Sequence, residues 1–157
     1  MLAPGDSYIE SYPAVPDSVP RARSAVTTFA EDAGACEDRL HSIRLATSEA
    51  VTNAVLHAYD GGKPGPIQLS VSFLDDELWV LIADSGCGLR ARTNSPGLGL
   101  GLALIAQMAD DFQIHSRGLG GTELQMRFKL DSSAKRQGRG PGRFQRRGSF
   151  STAVSPA

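Results

Sequence analysis

Ile67-Gln68-Leu69-Ser70-Val71-Ser72-Phe73-Leu74-Asp75-Asp76-Glu77-Leu78-Trp79-Val80-Leu81-Ile82-Ala83 decides the fold class. Residues 67–74 alternate apolar and polar with period two, and 78–83 form an almost continuous apolar run. Asp75-Asp76 lies between them as turn chemistry, so the stretch predicts a β-hairpin. Downstream, Leu98, Leu102, Ile105 and Met108 carry helical spacing over 98–110, and 112–116 and 122–130 read as two further strands around Gly118-Leu119-Gly120-Gly121. Upstream, Glu37 to Tyr59 reads as one long helix, because Leu40, Ile43, Ala50, Val51, Ala54 and Ala58 fall in one band of a helical wheel. A shorter helix is expected from a cap at Asp17 or Ser18, with Pro20 in its first turn, to a stop near Gly34. Tyr8, Ile9 and Tyr12 before Pro13 suit a short edge strand. Hairpins grouped in this way, rather than alternating βαβ units, predict an α+β fold: a two-layer arrangement of a mostly antiparallel mixed sheet with helices on one face.

The chain has 157 residues, 41% of them apolar and 21% charged, which suits one packed domain and excludes global disorder. No run of 18 apolar residues occurs, and the first twenty residues lack a cationic start followed by an apolar stretch, so the expected location is the cytoplasm, with no membrane role. Cys36 and Cys87 form no CxxC pair and suggest neither zinc nor a disulfide framework. The net charge of -1 conceals a division: residues 131–157 carry +5 and the rest -6. The expected organisation is a domain over 1–130 and a basic, disordered tail over 131–157. An acidic body argues against direct nucleic-acid binding. The tail reads either as a weak anionic contact or a phosphoacceptor at Arg146-Arg147-Gly148-Ser149, or as a solvated extension.

Three segments carry chemistry. In Glu49-Ala50-Val51-Thr52-Asn53-Ala54-Val55-Leu56-His57, Glu49, Asn53 and His57 stack on one helix face opposite the apolar band. A carboxylate and an amide so aligned can hold a hydrated divalent cation or serve proton transfer; the bland alternative is a solvated face. Asp84-Ser85-Gly86-Cys87-Gly88 places a fixed acceptor at a strand end before glycines that let backbone approach a ligand, although ordinary turn chemistry looks the same. Gly86-x-Gly88-x-x-Ala91 also matches a dinucleotide fingerprint formally, but Asn94-Ser95-Pro96 interrupts the helix that fingerprint needs. Gly97-Leu98-Gly99-Leu100-Gly101 runs into a helix and leaves backbone N–H groups open to an anion, as a phosphate cradle would; no Lys-Ser/Thr follows, so it is not a P-loop. Gly120-Gly121-Thr122 adds a tight turn and a hydroxyl, uninformative alone.

Together and in this order, these elements resemble the Bergerat-fold ATP-binding domains, the superfamily of gyrase and the histidine kinases. Within it, residues 49–59 look most like the anti-sigma factor serine/threonine kinases of bacterial partner switching. The resemblance covers about residues 7–130. It implies Glu49 as the general base on an attacking hydroxyl and Asn53 as the Mg²⁺ ligand bridging ATP phosphates. It implies Asp84 as the acceptor for the adenine amino group, with Gly86 and Gly88 closing around the base. Gly97, Leu98, Gly99, Leu100 and Gly101 would form the lid hinge and phosphate cradle, and Thr122 would support the adenine end. The implied partners are a sigma factor and a STAS-type anti-anti-sigma protein whose Ser or Thr is phosphorylated, with the kinase a homodimer and Arg23 meeting the partner. His57 would serve as a structural hydrogen-bonder or as a ligand. The lid between Leu89 and Pro96 can be only a small flap. An ATP/ADP-gated binding module without kinase activity shares every one of these residues, whereas a non-nucleotide interaction domain leaves the glycines unexplained.

Overall fold

The computed structural model describes residues 2–3, 5–59, 62–88 and 98–130, with backbone alone at Leu98 and Gly99. The element order is β1 (Ser7–Pro13), α1 (Ser18–Asp32), α2 (Glu37–His57), β2 (Pro66–Leu74), β3 (Glu77–Asp84), α3 (Leu98–Met108), β4 (Asp111–Ser116) and β5 (Thr122–Lys129). The strands form one five-stranded sheet in the order β1-β2-β3-β5-β4. All four neighbouring pairs are antiparallel, a stricter pattern than the mostly antiparallel mixed sheet expected. The fold is α+β. The Gly97 expectation, the flap over 89–96 and the tail over 131–157 lie outside the described residues.

The hairpin turns where the sequence places it. Asp75 and Asp76 have φ of 52° and 61°, the left-handed pair of a two-residue hairpin turn that Asp tolerates. The register then sets Leu69 opposite Ile82 and Val71 opposite Val80, all four buried on the helix side. Trp79 and Leu81, inside the apolar run of β3, are instead half-buried on the other face. The helices cover one face alone, so period two persists in β3 up to Ile82 despite its apolar composition.

Helix α2 is the centre of the helical layer and packs against both α1 and α3. Its expected apolar band is buried in full, with Ile43 and Val51 among the most completely enclosed side chains beside Phe128, Leu69 and Ile105. Acidic Glu37 and Asp38 in its first turn and His57 in its last suit the helix dipole. In α1 the cap differs from expectation. Asp17 occupies the N-cap position but its side chain makes no capping bond, while the Ser18 hydroxyl donates back to Pro13 O at 2.6 Å and secures the turn out of β1. Edge strand β1 is held by its ladder to β2, and along its own face the Glu10 carboxylate accepts from the phenols of Tyr8 and, at 2.6 Å, Tyr12. Burial, and then the hydrogen bond and charge of Glu10, push the Tyr12 phenol above its ordinary range. Among the described residues no helix is long and apolar enough to cross a membrane.

Candidate functional site

The three chemically loaded segments gather along one stretch of helix α2. Glu49 and Asn53 sit half-buried on α2, with Glu49 against Gly101 of α3, and the Asp84–Gly88 loop closes against the end of the same helix. The Cys87 N–H donates to Ala58 O at 2.8 Å. Gly86 is pressed so closely on that carbonyl that a Cβ would overlap Ala58 O and lie 2.8 Å from Ala58 Cα, so its hydrogen side chain is a packing requirement. Nine residues of helix, about 13 Å at 1.5 Å each, separate Glu49 from Ala58.

Asp84 is the buried carboxylate of this loop, 6% exposed. Its Oδ1 accepts from the Gly86 N–H at 2.9 Å and from the Thr122 N–H at 3.2 Å. Those bonds use about half of a carboxylate's lone-pair sites and fix its orientation. Thr122 therefore acts on Asp84 through its backbone, a contact distinct from the hydroxyl role expected of it. Gly121 has φ of 100°, and a Cβ on it would overlap Asp84 O and approach Ser85 Cα to 2.9 Å. Gly88, at φ 75°, faces Gly121 across the gap. The Gly120-Gly121 turn, uninformative in the sequence, forms one wall of this loop.

At the other end, α3 begins at Leu98, so the N–H groups of its first turn, Leu98 to Gly101, have no partner within the helix. Gly101 abuts the base candidate directly: a Cβ there would overlap Glu49 Oε1 and lie 2.8 Å from Glu49 Cδ. This close approach is a physical reason for one of the helix-weakening glycines. Leu100, 80% exposed, stands beside it. Asn53 Nδ2 is buried and has no hydrogen-bond partner among the described residues. Which amide end faces inward is set by whatever it binds, since the two ends are nearly isosteric. A single amide oxygen suits Mg²⁺, which keeps waters and takes the rest of its shell from substrate phosphates.

Arg23, exposed on α1, reaches across to α2 and donates to Ser48 Oγ at 3.4 Å, next to Glu49. His57 is half-buried, and its side chain makes no hydrogen bond among the described residues. Two residues without an expected role hold the site. Tyr59 Oη donates to Pro66 O at 2.7 Å and accepts from the Ser85 N–H at 3.0 Å, tying the end of α2 to β2 and to the Asp84 loop. Gly65 exists where the Tyr59 ring leaves no space for a Cβ. Arg117 donates from Nη1 to Asp84 O at 3.2 Å. Tyr59 could have been noticed as the aromatic that ends the helical pattern; Arg117, 33 positions from Asp84, has no local signal.

The family described as histidine kinase-like ATPase domain matches residues 12–128. The chain is 29% identical over 121 residues to an anti-sigma F factor of Clostridium botulinum, covering 70% of this chain and 85% of the relative. It is 29% identical over 125 residues to the serine-protein kinase RsbW of Listeria innocua, covering 70% and 80%. Among solved structures it superposes with a TM-score of 0.65 and 22% identity on the RsbU and RsbW domains of a Mycobacterium tuberculosis protein, covering 82% of this chain and 33% of that one. It superposes with a TM-score of 0.56 and 12% identity on the SiaB–SiaC complex of Pseudomonas aeruginosa, covering 77% and 88%. These structural likenesses establish the shared fold.

Proposed function

The chain belongs to the histidine kinase-like ATPase domain family, and from that premise we propose that it is a serine/threonine kinase that binds Mg-ATP along α2, sequesters a sigma factor and phosphorylates an anti-anti-sigma partner. The observation that carries the reading is the placement of Asp84 and the Glu49/Asn53 pair at the two ends of one helical stretch, with the first turn of α3 against Glu49. An elongated ligand whose base amino group donates to Asp84 extends along this stretch toward Asn53 and the first-turn N–H groups of α3, where phosphates are favoured by the helix dipole. The names of the curated relatives, an anti-sigma factor and a serine-protein kinase, support the choice of partner and acceptor.

In this reading the acceptor hydroxyl oxygen attacks the γ-phosphorus, the bond to the β–γ bridging oxygen breaks, ADP leaves, and Glu49 takes the hydroxyl proton. Mg²⁺, held by the Asn53 amide oxygen and the phosphates, would spread the phosphate charge. Arg23, beside Ser48 on the solvent side of Glu49, meets the incoming partner. The active unit is a homodimer in the cytoplasm.

The test is thermal unfolding with and without excess Mg-ADP. Ligand at 100 times its Kd stabilises the native state by about 2.7 kcal/mol, a rise in Tm of several degrees for a domain of this size. The rise is expected in the wild type and absent in Asp84→Ala; no rise in either sinks the nucleotide site. With the site established, transfer of labelled phosphate to a co-encoded anti-anti-sigma protein separates a kinase from a nucleotide-gated binding module, which labels nothing.

Gly101→Ala separates stability from activity. Alanine favours the helix by about 1 kcal/mol over glycine, yet its methyl displaces the Glu49 carboxylate, whose end can swing aside. The expected result is a Tm equal to or above that of the wild type with phosphoryl transfer reduced by at least about tenfold, the range in which a misplaced general base acts. Wild-type transfer in this variant would show that the position of Glu49 beside α3 is immaterial.

A further inference from the structure

We propose that Arg117 is a positioning residue that sets base selectivity by holding the main chain of Asp84. The proposal rests on the nucleotide reading above and deepens it. The β3–β5 ladder ends at the pair Ala83 and Glu123, so Asp84 lies one residue beyond the last β5 partner. Its carbonyl is served instead by the Arg117 guanidinium at 3.2 Å. A side chain thus supplies a donor where the ladder stops, at the residue whose carboxylate reads the base.

The anchor of that side chain is itself fixed. The Arg117 N–H donates to Gly121 O at 3.1 Å, and its carbonyl accepts from the Gly120 N–H at 3.0 Å, so β4 and β5 are joined by a closed turn from which the guanidinium reaches across. Gly121 presses on Asp84 O from the same side. On the other side Asp84 pairs with Ile67 of β2. The Asp84 backbone is therefore held between β2 and the 117–121 turn, and Arg117 is the part of that hold that a substitution can remove without altering the packing of the glycines.

A carboxylate distinguishes adenine from hypoxanthine because adenine offers an amino donor where hypoxanthine offers an oxygen acceptor. The quantity Arg117 controls is therefore the ratio of Kd for IDP to Kd for ADP, which a general loss of fold or of phosphate binding leaves unchanged. Titration calorimetry of the full chain with Mg-ADP and Mg-IDP measures it. Arg117→Ala is expected to weaken ADP binding by about five- to tenfold, the scale of one hydrogen bond, with IDP binding within about twofold of wild type, so that the ratio narrows. Arg117→Lys, which still reaches with one donor, is expected to keep the wild-type ratio. An unchanged ratio in Arg117→Ala, a parallel loss for both nucleotides, or a lysine variant as impaired as the alanine variant would each overturn the proposal. A wild type that binds both nucleotides equally would overturn it too, since there would be no base selectivity to set, whereas one that binds neither would remove the nucleotide reading beneath it.

Discussion

Glu49→Gln is expected to slow phosphoryl transfer by about 10²–10⁴-fold, the usual contribution of a general base, while Mg-ADP affinity stays within about twofold of wild type. Glutamine keeps the length and shape of the side chain and so keeps its contact with Gly101; what it lacks is the capacity to take a proton. In the proposed reading the nucleotide base is read nine residues further along, at the loop pinned to Ala58, which would put binding and chemistry on separable parts of α2. Single-turnover labelling of an anti-anti-sigma substrate, with calorimetry on the same preparations, checks both halves. Transfer at the wild-type rate would remove Glu49 as the base, and a parallel collapse of affinity would make it a binding residue.

Gly121→Ala has the largest expected effect on stability, a loss of about 3–5 kcal/mol and a fall in Tm of roughly 10–15 °C. Two costs combine. The residue holds φ of 100°, where an L side chain is strained, and the new methyl overlaps the Asp84 carbonyl, which is backbone in a paired strand and cannot swing away. Gly118, three residues earlier in the same turn, is the control: a Cβ there meets nothing within 4 Å, and its alanine variant is expected within about 0.5 kcal/mol of wild type. Calorimetric melting of the pair gives the comparison directly. Equal melting temperatures would show that the turn can move off Asp84.

The contrast between these glycines shows what the sequence could and could not reveal. The hairpin was legible because period two and an Asp-Asp turn are local. The α2 band was legible because a wheel sorts Ile43 and Ala50 from Glu49 and Asn53 without knowledge of any neighbour. Asp84 and the glycines after it could be singled out as a strand end with free backbone. Their reasons were hidden: Gly86 is glycine because of Ala58, Gly101 because of Glu49, and Gly121 because of Asp84, each a contact between distant positions. The half-exposure of Trp79 and Leu81 was hidden likewise, since composition does not say that helices cover one face alone. Arg117 and Tyr59 act through carbonyls and amides that every residue possesses, so no pattern of side chains announces them.

The place of β5 between β3 and β4 bears on how the molecule is made. A ribosome delivers the chain from its N-terminus, and β1, β2 and β3 can pair as soon as they emerge. β4 then appears with nothing to pair against, because the strand that joins it to the sheet has yet to be synthesised, and β3 presents a bare edge meanwhile. Residues 122–129 close both gaps at once, and the same event brings the Thr122 N–H to Asp84. Sheet and site therefore depend on the same late segment, and chains halted before residue 122 lack both the strand that joins β3 to β4 and the N–H that orients Asp84.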